Sequence, residues 1–272
     1  MSMVGSRTAR FLLLAVLAGA LCACVAPPKA QVPANETKDR VTASDEPEAQ
    51  KRARARMELA SAYFGRGQVT TALDQVKQAI AADPLYGEAF NLRGLIYASL
   101  GDPVLAEESF KRALQLNPQD ADTMHNYGWY LCQQKRYPES NALFKQALAQ
   151  PQYRGIVRTL LAHGVCQAFA GNLDASAESL ARAYELDPTN PFTATNLAEV
   201  LYRRGEYQRA RFYVRRVNAQ PEVSNAQTLW LAARIEHRLD NEAGARGFGI
   251  ELRNRFPDSR EAGLFARGAY DE

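Results

Sequence analysis

The stretch GEAFNLRGLIYASLGDPVLAEESFKRALQLNP, residues 87–118, reads as two amphipathic helices joined by a turn. Phe90, Gly94, Tyr97 and Gly101 fall in its first half, and Ala106, Phe110, Ala113 and Pro118 in its second. Gly94 and Ala106 carry little or no side chain, so two antiparallel helices can approach closely there. Tyr97 and Phe110 fill the space around that contact, and Pro118 stops the second helix. Working outward, Tyr63, Gly67, Ala72, Ala79 and Pro84 lie thirty-four residues ahead of Tyr97, Gly101, Ala106, Ala113 and Pro118. Five coincidences at one spacing predict an all-α helical solenoid.

A thirty-four-residue period with these residue types resembles the tetratricopeptide repeat (TPR). Six repeats are expected, at about 53–86, 87–120, 121–151, 157–190, 191–221 and 226–257, with 258–272 as a terminal cap. Pro84, Pro118, Pro151, Pro188, Pro221 and Pro257 mark the repeat ends. Several positions break the pattern. Lys135 and Ser140 replace the usual Gly and Ala in repeat 3. His163, Gln167 and Ser176 loosen repeat 4, and Glu236 and Gly249 stand off-pattern in repeat 6.

With 272 residues, 46% hydrophobic and 23% charged, the chain can bury a sizeable core. Its net charge of +3 argues against a nucleic-acid binder, which would carry a far more basic domain. Four cysteines are too few for a disulfide scaffold.

Residues 1–23 place Arg7 and Arg10 before the apolar run FLLLAVLAGAL and a small residue, the order of a secretory signal. That run is about half of the ~20 residues a spanning helix needs. Leu21-Cys22-Ala23-Cys24 resembles a lipobox. Cys24 is the expected lipidation site, because Ala23 is small and Leu21 before Cys22 is too large; the alternative is an ordinary cleaved signal with a chance cysteine. Val25 follows where a retention signal would have Asp, so an outer-membrane, periplasm-facing location is expected. Residues 24–52 carry four prolines and read as a disordered tether with a reach of roughly 30 Å.

The first helix of each pair is expected to line a concave face. Its candidate protein-binding residues are Met57, Ser61, Phe64, Asn91, Leu95, Ala98, His125 and Trp129. Such a groove suits an apolar peptide or helix; the alternative for each residue is packing on a neighbouring repeat or facing solvent. Cys132 and Cys166 lie on consecutive first helices at places that differ by two, about 200° of helix rotation. They can therefore face each other and pair in an oxidising compartment, the alternative being two buried thiols. No catalytic, metal or cofactor site is expected. His125, His163 and His237 are dispersed, GARGFG at 244–249 has no preceding strand or following Lys-Ser/Thr, and no nucleophile elbow exists. The Arg203-Arg204 and Arg215-Arg216 pairs read as a solvated face.

Asn126-Tyr127-Gly128 with Lys135-Arg136-Tyr137, and Leu201-Tyr202 with Glu206-Tyr207, go beyond a generic repeat. With the lipobox and six repeats they resemble the type IV pilus biogenesis lipoproteins of the PilF/PilW family. That resemblance implies a right-handed superhelix, a lipid anchor in the outer membrane and no enzymatic activity. It also implies a role in localising and multimerising the pilus secretin (PilQ-like), or in pilus stability, without nucleic acid or small-molecule substrate. The competing expectation is a periplasmic scaffold that organises cell-wall enzymes.

Overall fold

The computed structural model describes residues 47–271, which fold as thirteen helices without a strand among them. They are α1 (Glu48–Gly65), α2 (Val69–Ala82), α3 (Gly87–Leu100), α4 (Pro103–Leu116), α5 (Ala121–Gln133), α6 (Tyr137–Leu148), α7 (Ile156–Phe169), α8 (Leu173–Leu186), α9 (Pro191–Arg203), α10 (Tyr207–Asn218), α11 (Ala226–Arg238), α12 (Glu242–Arg255) and α13 (Arg260–Ala266). The first twelve form six antiparallel pairs, and each second helix packs on the first helix of the next pair. Each first helix also approaches the next first helix, from α1 through α11, while among the described residues no two second helices do. A stack that is tight on one side and splayed on the other curves, so the first helices line the inner face. The signal segment, Cys24 and most of the tether lie outside the described residues. The helical part begins at Glu48, ahead of the expected boundary at 53, because EAQKRARAR is made of good helix formers and Lys51 pairs with Glu48 in the first turn.

Within each of the first five pairs the contact rests on one small and one large residue sixteen positions apart. A Cβ placed on Gly94 would stand 2.8 Å from the Phe110 ring, one on Gly128 3.2 Å from Phe144, and one on Gly164 2.5 Å from Leu180. Where the small residue is Ala, the partner shrinks to Val: Ala60 with Val76 and Ala198 with Val214, all buried. Summed volume across the contact is held roughly constant, as a close-packed interior demands.

The prolines stand just beyond the second helices, in tight turns. Asp83 Oδ1 accepts from the Leu85 amide (3.0 Å), Asn117 Oδ1 from Gln119 (3.2 Å) and Asp187 Oδ1 from Thr189 (3.1 Å). An Asx side chain before Pro therefore reverses the chain three times by one device. Between the two helices of a pair the chain passes through the left-handed region at Gly67, Gly101, Gly171 and Gly205. Lys135 (φ 59°) and Asp240 (φ 55°) hold the same place without glycine's freedom. Replacing Lys135 by Gly is therefore expected to raise stability by about 1 kcal/mol, roughly 2–4 °C in Tm, after the entropy of the added glycine is deducted. A thermal melt of Lys135→Gly beside the parent chain checks this, and an unchanged or lowered Tm would contradict it.

The off-pattern residues have tertiary causes. Ser140 and Ser176 occupy the small position of the second helix and donate to the carbonyls of Gly128 and Gly164 across the pair, both at 2.7 Å. His163 is buried. Its Nε2 meets Asn141 Oδ1 at 2.6 Å, its Nδ1 meets Ser179 at 3.1 Å, and Gln167 donates to Asn141 at 2.8 Å. Repeat 4 thus keeps polar residues inside by satisfying them, as buried polar groups require. Gly249 replaces the large residue of the pair because the Phe265 ring of α13 takes its space: a Cβ there would stand 2.0 Å from that ring. The terminal helix plugs the last repeat in this way. Glu236, 1% exposed, accepts from Arg211 Nε (2.9 Å), Arg215 Nη2 (2.6 Å) and Asn241 Nδ2 (2.7 Å). It ties α10, α11 and α12 together.

Candidate protein-binding groove

Three residues in each first helix point along the inner face, three before, one after and four after the small residue of the pair. In the first two repeats most of these are taken up by packing. Met57 and Phe64 are half-buried against Ala60, Val76, Leu92 and Ile96, and Leu95 and Ala98 against Tyr127 and Tyr130. Asn91 accepts from Asn126 (3.1 Å), which joins α3 to α5, and Ser61 is exposed. None of these six lines the apolar cavity formed farther along the inner face.

His125 and Trp129 do line it. This largely apolar cavity of about 320 Å³ opens on α5, α7 and α9, with Leu161, Ala162, Val165 and Phe192 on its walls and Arg158 and Asn196 at its rim. The residue one place after the small position is Ser61, Leu95, Trp129, Val165, Glu199 and Arg234 in successive repeats. Carrying the one-after and three-before registers into repeat 4 would have pointed to Val165 and Leu161. Phe192, at the start of α9, has no equivalent in the pattern and is 71% exposed. A second cavity of similar volume adjoins the first at Asn196 and is lined by Thr195, Glu199, Trp230, Arg234 and Glu261.

His125 forms the floor of the apolar cavity and is held by structure. Its Nδ1 lies 2.8 Å from Thr159 Oγ1, which lies 2.7 Å from the Tyr153 hydroxyl. Burial, aided by the positive Arg158, lowers its pKa to about 4, so the ring is neutral near pH 7. Cys132 on α5 and Cys166 on α7 are joined by a disulfide, Cα–Cα 5.9 Å, packed among Trp129, Phe144 and Ala162. It pins the two helices that form one wall of the cavity.

The motifs that carried the resemblance build the fold. Tyr127 donates to Glu107 (3.0 Å), and Arg136 bonds the same carboxylate (2.6 Å) and Glu139 (2.6 Å). Arg136, ahead of the opposing cost of burial and with help from Lys111 and Tyr127, holds the Glu107 carboxyl down near 2. Tyr202 and Tyr207 pack with ring centroids 5.5 Å apart. The arginine pairs, expected as a solvated face, are partly engaged. Arg204 pairs with Asp174 and Glu206 (both 3.0 Å), Arg215 binds Glu236, and Arg216 lies over Phe212 at 5.6 Å. Among the described residues no three His, Cys, Asp or Glu side chains gather as a metal ion would need, and no helix is long and apolar enough to cross a membrane.

A family model of the tetratricopeptide repeat matches residues 42–121 and 126–191, and a second matches 109–140. The solved structure of PilW, described as a widely conserved type IV pilus biogenesis factor, superposes with a TM-score of 0.73 at 30% identity, over 79% of this chain and 98% of that one. The chain belongs to the PilF/PilW family of tetratricopeptide repeat proteins. Within that family, the type IV pilus assembly protein PilF of Pseudomonas aeruginosa is 27% identical over 93% of this chain and 96% of its own length. A solved Pseudomonas aeruginosa PilF structure superposes with a TM-score of 0.73 at 25% identity, over 81% of this chain and 99% of that one. MamA of Desulfovibrio magneticus, at 20% identity and a TM-score of 0.53 over 61% of this chain and 92% of that one, shares the fold alone.

Proposed function

We propose that this protein is an outer-membrane lipoprotein of type IV pilus biogenesis, anchored at Cys24. In this reading it is a binding module that assists localisation and multimerisation of the pilus secretin, or stability of the pilus. The observation that carries the reading is the family likeness, which spans 98% of PilW and 96% of PilF. Both proteins are named for pilus assembly or biogenesis. The signal-like order of residues 1–24 supports an anchored, exported protein, and a disulfide suits an oxidising compartment. The mechanism is binding geometry. A rigid inner face held near the membrane raises the local concentration of its client, and neither step needs a catalytic group.

The test is a deletion strain. Outer-membrane fractions run on a semi-denaturing gel are expected to lose the detergent-resistant secretin multimer, or surface pili are expected to be lost with multimers intact. Cys24→Ser is expected to reproduce the defect and to release the protein from the membrane fraction. Normal multimers together with normal pili would overturn the assignment.

A further inference from the structure

Both tryptophans of the chain stand on the same stretch of the inner face, Trp129 in the apolar cavity and Trp230 in the adjoining one. The two cavities share Asn196 and differ in character. The first offers Trp129, Leu161, Val165 and the exposed ring of Phe192. The second carries two carboxylates, Glu199 and Glu261, against one guanidinium. That guanidinium, Arg234, is already engaged, lying over the Tyr202 ring at 4.4 Å and donating to the Tyr270 carbonyl at 3.3 Å. Among the described residues neither Glu199 nor Glu261 has a basic nitrogen within 4.0 Å. At the other end Arg158 already meets Asp122 at 2.5 Å, so it does not call for an acidic ligand.

From this polarity we infer that the groove along α5, α7, α9 and α11 receives a segment of another protein in which bulky apolar side chains lie beside a basic residue. The apolar anchors enter between Trp129, Val165 and Phe192, and the basic residue reaches Glu199 and Glu261. Aromatic and aliphatic anchors in a concave, desolvated site supply most of the affinity of such contacts, while opposite charge at the rim sets direction and partner choice. The disulfide keeps α5 and α7 at a fixed separation, so the apolar end is formed before the partner arrives. The inference rests on the binding-module reading above and adds the chemistry of the partner and its place in repeats 3 to 6.

The experiment pans a displayed random peptide library on the full-length protein in detergent micelles, depleting each round on the Phe192→Asp variant. Phe192 is exposed, so that variant is expected to melt like the parent. Enriched peptides are expected to combine Phe, Leu or Trp with a nearby Lys or Arg, to change tryptophan fluorescence on binding, and to bind Phe192→Asp at least tenfold more weakly. The double variant Glu199→Lys, Glu261→Lys is expected to lose at least tenfold towards them and to favour versions with Glu at the basic position. Failure to enrich anything over Phe192→Asp, or equal binding by the double variant, overturns the inference. A strain carrying Phe192→Asp separates the two readings. Lost pili without library enrichment sinks the partner chemistry and leaves the binding role. Peptides that bind as expected beside normal pili leave the groove assigned and sink its link to pilus assembly.

Discussion

The double variant Cys132→Ser, Cys166→Ser is expected to be less stable than the parent chain by roughly 3–4 kcal/mol. The bridge joins residues 34 apart, and in the chain-entropy model closing a loop of that size removes about this much freedom from the unfolded chain. For a helical domain of this length the loss corresponds to roughly 10 °C in Tm. Two features make the effect local as well as global. The bridge connects first helices of neighbouring repeats, and in a solenoid stability is carried by such nearest-neighbour interfaces. It also sits beside Trp129 and the buried Phe144, so its loss loosens one wall of the apolar cavity. Thermal melts of the parent chain with and without reductant, set against the variant, check the prediction. Reduced parent and variant should coincide, and both should melt well below the oxidised parent. A variant that melts with the oxidised parent would show that the bridge adds no stability.

Stability is also expected to fall steeply between pH 6.5 and pH 4, by about 3 kcal/mol from His125 alone. The His125 ring is 7% exposed, and its folded pKa of about 4 lies below the ordinary histidine value near 6.5. In that window the unfolded chain binds a proton that the folded chain refuses, so acid pulls the equilibrium towards unfolding. The stabilisation is fully present above about pH 6.5 and is lost as pH falls towards 4. Burial, with the positive Lys145 adding to it and Glu178 opposing, lowers the pKa of His163 too, so both rings act in the same direction. Glu107, held near 2, begins to lose its own contribution only as pH falls through the ordinary carboxylate value near 4.5, under most of this window. Urea denaturation at pH 7.5, 6, 5 and 4.5 measures the slope, which should approach about 1.4 kcal/mol per pH unit for each histidine that stays neutral when folded. His125→Gln keeps a polar group near Thr159 without the titration and is expected to flatten the curve by about one proton. An identical slope in that variant would rule out His125 as the source.

What could be read from one-dimensional spacing is the part of the protein that repeats. The thirty-four-residue period, the small residue at Gly94, Gly128 and Gly164, the large partner sixteen places on, and a proline after each second helix all describe contacts within one helical pair. These are local in sequence, so their pattern survives as a string. The same register, continued through repeats 4 to 6, also holds the row Val165, Glu199 and Arg234 that shapes the groove. The eight groove candidates stopped at Trp129, and of them His125 and Trp129 line the apolar cavity.

The rest needed three dimensions. Phe64 and Leu95 have the composition of a binding face, but the next repeat covers them in part, and that depends on how tightly first helices approach one another. His163, Gln167 and Ser176 look like damage to a repeat until Asn141, Ser179 and the Gly164 carbonyl are placed around them. Gly249 is a missing core residue until Phe265 arrives from the terminal helix, and Glu236 is a misplaced charge until Arg211 and Arg215 close on it. Sequence alone determined the solenoid, since each pair is stabilised by its own period. Tertiary structure alone decided which inner-face residues stay open to a partner, because burial between repeats is set by curvature and side-chain volume across residues about thirty-four apart.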